Sequence, residues 1–285
     1  MSRTARIFAV VAVLSLVSVG CSMVGFAYNR LDWLAMNYID DRFELEPATR
    51  KQIADALSAR LDAHRTNELS EIITLLNRAE AIVRTKPTRA AVRSLIDDVG
   101  QLYVDTLAKT IPHVVPVLAS LEANDAQRLA DGFDRLNDEF ADRYQRTAGA
   151  SARQAARFER LESRFRFWAG APREDQIALI TETITRAPDP VDAWYEDRLR
   201  QQSDWLSIVR NEDSPQTIEA VLREWWVSGE RRNAELEPLY ARTRSLYTDL
   251  MLALIDTFSE KQTKRILSRI ESIRDSLQEN INQAA

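Results

Sequence analysis

Apolar residues recur along nearly the whole chain at intervals of three and four, the spacing that puts them on one face of an α-helix. Leu31, Leu34 and Tyr38 give a first short helix. Pro47 opens a longer one whose stripe runs through Ile53, Leu57, Leu61, Leu69, Ile72, Leu76 and Val83, until Lys86-Pro87 stops it. Unbroken, that segment would be on the order of 50 Å long at 1.5 Å per residue. A third helix runs from about Thr88 to Leu121, with kinks expected at Pro112 and Pro116. Asn124 begins a fourth, carrying Leu129, Phe133, Leu136, Phe140 and Tyr144. The small residues of 147–151 are the best linker candidate, and helices at about 152–168, 173–187 and 190–210 follow. Ser214-Pro215, a cap followed by proline, opens a segment to about Phe258 with bends expected at Gly229 and Pro238. After Ser259 the residues Ile266, Ile270, Ile273, Leu277 and Ile281 form a last stripe. No period-two alternation marks a strand. The expected fold is all-α: an elongated, irregular bundle of about eight or nine helices, one domain over 28–285 with a weak subdivision near 147–151.

The first twenty residues have a different pattern. Arg3 and Arg6 precede a short apolar core from Ile7 to Val19, and small residues lead to Gly20 and Cys21. This layout resembles the bacterial lipoprotein signal, which implies diacylglycerol on Cys21, cleavage of 1–20 and a lipidated tether over 21–27. The other reading is an uncleaved membrane helix, since no charge falls between Arg6 and Arg30. Cysteine usage favours the lipoprotein: the chain has one Cys, at the position lipidation needs. Several acyl chains, each methylene contributing about 0.8 kcal/mol, would anchor it permanently. By the same resemblance, Ser22 in place of Asp implies sorting to the outer membrane, facing the periplasm.

Composition narrows the chemistry. The formal charge is −5, and removing residues 1–20 takes away two arginines and leaves −7, a balance that disfavours nucleic acid. Seven glycines in 285 residues is far below the usual share of about 7%. Phosphate loops and nucleophile elbows need glycine for positive φ or close backbone approach. No cofactor motif is present, and a non-enzymatic protein is expected.

The stretch Ala27-Tyr28-Asn29-Arg30-Leu31-Asp32-Trp33-Leu34, then Asp40-Asp41, His64-Arg65 and Glu68-Leu69, resembles an uncharacterised family of helical Gram-negative lipoproteins. The resemblance implies fold and location and no activity. Helix starts such as Thr49 to Gln52, Asn124 to Gln127 and Ser259 to Gln262 read as capping boxes. They also resemble the Leu-Thr-x-x-Gln motif of small periplasmic stress chaperones.

Two constellations are candidate sites. His64 and Glu68 lie four apart on one helix face; with Asp40 or Asp41 folded against them they would form a metal or acid–base site. The simpler reading is a polar helix–helix contact, because zinc sites take three or four ligands and the chain has only two histidines. Five of six tryptophans follow residue 160. Trp194 and Trp205 are three turns apart, Arg198 lies one turn beyond Trp194, and Trp225-Trp226 follow. They make either an aromatic surface for a lipid, glycan or apolar peptide, or a ring-filled core. The sequence favours a lipid-anchored scaffold or chaperone that binds another protein, with the apolar-ligand carrier as the alternative. Labelled palmitate should mark the wild-type chain and not Cys21→Ala; equal labelling of both would remove the lipoprotein reading.

Overall fold

Prolines, glycines and capping side chains divide the chain into helices whose apolar faces are then buried against one another. The computed structural model describes Tyr28 and residues 30–284. The expected signal peptide over 1–20, the anchor at Cys21, Ser22 and the tether to residue 27 lie outside the described residues. Among the described residues there are eleven α-helices, one π-helical turn and no strand. They are α1 (Leu31–Asp40), α2 (Pro47–Asn67), α3 (Leu69–Arg84), α4 (Arg89–Ala119), α5 (Asp125–Arg143) and α6 (Gly149–Ala169). Then come α7 (Glu174–Arg186), α8 (Val191–Arg210), α9 (Pro215–Arg223), the π turn (Glu224–Ser228), α10 (Leu236–Thr257) and α11 (Glu260–Ala284). No described helix is long and apolar enough to cross a membrane.

The all-α class stands, and the count of eight or nine falls two or three short of eleven, chiefly because two segments read as single helices each divide. The segment from Pro47 breaks at Glu68, whose φ of −123° leaves the helical region. The segment from Pro215 ends at Gly229, which takes a left-handed φ of 74° that glycine adopts without steric cost. Pro238 makes no bend: it sits in the first turn of α10, where its absent N–H would have had no helical partner. Helix α4 continues through Pro112 and Pro116. Of the proposed linker, only 147–148 are in the turn before α6.

Helix α4 is central, packing against α2, α3, α9 and α10. Its C-terminal half buries Ile111, Val115 and Leu118 with Ile208, Val209, Ile218 and Leu222 of α8 and α9. A second cluster joins α6, α7, α10 and α11 through Phe165, Ile180, Ile184, Leu254 and Ile270. Two helix starts are tied together there. The Ser259 capping box forms, with the Gln262 amide N–H donating to Ser259 Oγ and the Ser259 N–H donating to Gln262 Oε1. The Gln176 and Gln262 side-chain amides also pair reciprocally at 3.1 and 2.9 Å. Gly132 on α5 lets the chain after α1 approach: a Cβ there would meet the Phe43 ring at 2.3 Å.

The α2–α3 break holds a buried ion pair. In a continuous helix Arg60 and Glu68, eight residues apart, would be about 12 Å apart along the axis. The break lets Arg60 donate to both Glu68 carboxylate oxygens, at 2.7 and 2.9 Å, and Glu68 is 2% exposed. Arg60 also donates to Thr110 Oγ1 and to the Thr106 carbonyl of α4. Removing one partner of such a pair strands a buried charge. Arg60→Met should therefore lower stability by about 3 kcal/mol or more. Arg60→Met with Glu68→Leu should recover most of that loss in urea unfolding.

Candidate functional site

The aromatic residues of the C-terminal half, joined by rings from α1, α4 and α5, surround a cavity of about 780 Å³ that is open to solvent on one side. That volume is within the range of small-molecule sites, roughly 300–1,000 Å³. Helix α8 contributes Trp194 and Arg198, the π turn Trp225 and Trp226, α10 Tyr240 and α4 Tyr103 and Leu107. Helix α5 contributes Phe140 and α1 contributes Tyr38 at the rim. The π turn widens the backbone where the paired tryptophans reach the cavity, a geometry frequent at functional sites. Its freed carbonyls are taken by Arg232, which donates from Nε to Trp225 O at 2.8 Å and from Nη2 to Trp226 O. Trp225 Nε1 donates to Asp204.

The wall is stiffened by ring and polar contacts. Trp194 Nε1 donates to the Tyr240 hydroxyl at 2.6 Å, and burial pushes that phenol's pKa up. Tyr144 meets Trp194 edge-on at 5.6 Å and Phe140 at 4.6 Å. Beneath them the buried amides of Asn137 and Gln202 pair, and Arg198 Nε donates to Asn137 Oδ1 at 2.6 Å. Of the aromatic residues singled out in the sequence, Trp194, Trp225 and Trp226 line the cavity with Arg198. Trp205 does not: it packs on the α4–α8–α9 core, against Phe133 and Trp226.

The His64 constellation does not assemble as a site. Asp40 is held by Arg50 at 2.8 Å, Asp41 is exposed, and the Glu68 carboxylate is engaged by Arg60. His64 Nδ1 instead makes a 2.6 Å hydrogen bond with the Tyr28 hydroxyl, whose pKa burial pushes up to about 12. No group of three metal-ligating side chains occurs among the described residues.

A further set was not picked out in the sequence. Arg157, Arg160 and Arg164 recur at three and four along α6, which places them on one face. Arg160 stands 5.0 Å over the Tyr144 ring and donates to the carbonyl of Arg143, a cavity residue. The spacing was visible in the sequence. Its neighbours across α5 and α10 were not.

With this geometry in view, the chain belongs to the Family of unknown function (DUF6279), whose profile matches residues 38–230. No curated protein and no solved structure matches the chain.

His64 offers a test of the packing around it. Burial is the main cause holding its pKa below the ordinary histidine value; Glu68 opposes this, and Arg60, Lys109 and Arg65 reinforce it. The unfolded chain takes up this proton near the ordinary histidine pKa of about 6.5, and the folded chain only at lower pH. The stability contributed by neutral His64 is complete above that pH and is lost as the pH falls towards the folded pKa. His64→Gln should flatten the decline of Tm between about pH 7 and pH 5 relative to wild type, as measured by thermal unfolding across a buffer series.

Proposed function

We propose that this domain is a non-enzymatic binding module that holds an amphipathic small molecule in the aromatic cavity, while a lipid at Cys21 tethers it to the outer membrane. The observation that carries the reading is the cavity itself, lined by Trp194, Trp225 and Trp226 and by Tyr38, Tyr103 and Tyr240. Rings supply large apolar contact area with few rotatable bonds, so an apolar body loses little affinity to side-chain ordering. The polar groups of the wall fix each other or orient a ligand; none is paired with a nucleophile or base for bond cleavage. The cavity moves the ligand-carrier reading ahead of the protein-scaffold reading.

The scaffold reading keeps one observation of its own. Trp33, Leu34 and Tyr38 are 57%, 42% and 49% exposed, and all belong to α1, the first described helix. Exposed rings grouped on one short helix suit a protein partner's apolar surface or the interface of a membrane. An elongated bundle would present such a surface beyond the tether.

The cavity is tested with the intact chain in phosphatidylcholine nanodiscs and an uncharged naphthylamine probe. Probe fluorescence should rise saturably with protein, and Leu107→Trp, which fills the cavity from α4, should weaken binding at least fivefold. A wild-type chain that gives no saturable signal would remove the cavity reading and leave the α1 surface.

A further inference from the structure

Two arginines line the aromatic cavity and two more stand behind its Tyr144, and none of the four has an ion pair with a carboxylate among the described residues. Arg143 and Arg198 line the cavity directly. Arg160 and Arg164 stand behind Tyr144 on α6, both half-buried. Arg160 uses one nitrogen on the Arg143 carbonyl at 3.2 Å, and Arg164 has no hydrogen-bond partner among the described residues. Arg198 donates only from Nε, to Asn137.

The carboxylates on this wall are engaged elsewhere or peripheral. Glu139 is held by Arg42 at 3.0 Å. Asp197 accepts from Arg200 at 2.9 Å and from the Asn233 amide at 2.6 Å. Asp142 is on the exposed rim.

They gather in a chain whose net charge is −5. Several arginines elsewhere are matched: Asp40, Asp249 and Asp125 hydrogen-bond Arg50, Arg89 and Arg128 and raise their pKa values. At the cavity wall burial is the largest influence on Arg160, Arg164 and Arg198, and it lowers theirs. Arg160 and Arg164 also repel one another, and Arg143 repels both. The half-buried guanidiniums of Arg160, Arg164 and Arg198, held beside one another and the exposed Arg143, would gain from an anion that joins them. Arginine forks fit phosphate, whose several acceptor oxygens can take N–H groups from more than one guanidinium at once.

We propose that the cavity binds an amphiphile with an anionic phosphate headgroup, its apolar body against the tryptophans and its phosphate on Arg143, Arg160, Arg164 and Arg198. This deepens the cavity reading and rests on it. The rings and the arginines are the two halves of one amphipathic site, joined at Tyr144.

The test is displacement of the uncharged naphthylamine probe from the intact chain in phosphatidylcholine nanodiscs, using short-chain phosphatidylglycerol, phosphatidylcholine of the same chains, and inorganic phosphate. Phosphatidylglycerol should displace the probe at concentrations at least tenfold lower than phosphatidylcholine. Arg160→Gln with Arg164→Gln should erase that preference while leaving probe binding within twofold, and Arg164→Lys should retain part of it. Equal displacement by the two lipids, or a double variant that keeps the preference, overturns the proposal with the cavity reading intact. Displacement by inorganic phosphate at the concentration of phosphatidylglycerol would assign the arginines to a free anion and equally overturn it. If the double variant loses its helical circular dichroism, Arg143→Gln and Arg198→Gln, made singly, carry the same comparison. Failure of the probe itself to bind wild type is the separate result that removes the cavity reading.

Discussion

The Arg60–Glu68 pair holds the N-terminal third of the structure in place. It sits where one long amphipathic segment is divided, and it joins three helices: α2 through Arg60, α3 through the Glu68 cap, and α4 through Thr106 and Thr110. An apolar contact would bury area with no preferred angle. A bidentate guanidinium–carboxylate pair fixes both distance and orientation. The desolvation cost of two buried charges is large, so the arrangement is favoured only in the folded geometry that also supplies the threonine acceptors. That geometry sets the course of α4, which carries Tyr103 and Leu107 to the cavity.

The cavity lies where local helical regularity fails twice. The π turn and left-handed Gly229 interrupt what would have been one helix from Pro215 to Thr257, and Trp225, Trp226 and Arg232 all fall in or beside the interruption. The departure from local rules thus coincides with a place where rings, buried amides and half-buried cations meet.

Much of the fold was legible because its signals are local. Thr88 and Ser214 cap the helices they precede, Pro215 takes the first helical position, and Ile266, Ile270, Ile273 and Leu277 of the final stripe are buried. The break at Glu68 was not legible, since the residue continues a helical pattern and only its partner eight positions back explains it. His64 and Glu68 were correctly placed one turn apart in sequence. Yet burial sends Glu68 to Arg60 and His64 to Tyr28, and i,i+4 spacing permits a contact without requiring it. The tryptophans were found by composition, but their fates separated: Trp225 faces both Asp204 and the cavity, while Trp205, on the same helix face as Trp194, is taken into the core. The arginine cluster was the least legible part. Its α6 spacing is plain, but that the nearby carboxylates are engaged by other partners or lie at the rim is a property of three elements at once.

Charge acts on two length scales in this molecule, and they oppose one another. The acidic surface repels an anionic bilayer, but only within a Debye length of about 8 Å at physiological salt. It disfavours lying flat on such a membrane and does not interfere with a tether. The arginines act at contact distance, inside a wall where water is partly excluded and Coulomb interactions are stronger. On the proposed reading, a lipid tether would hold the protein near acidic amphiphiles without collective adsorption, and the cavity would select one that brings headgroup and apolar body together. Helix α1 links the two scales. It presents Trp33 and Leu34 to solvent and, one turn later, places Tyr38 at the cavity rim, where Arg42 stacks on its ring at 3.6 Å. A molecule reaching the cavity past α1 would thus meet exposed rings and a guanidinium together at the rim, a pairing that suits an amphiphile better than a free anion.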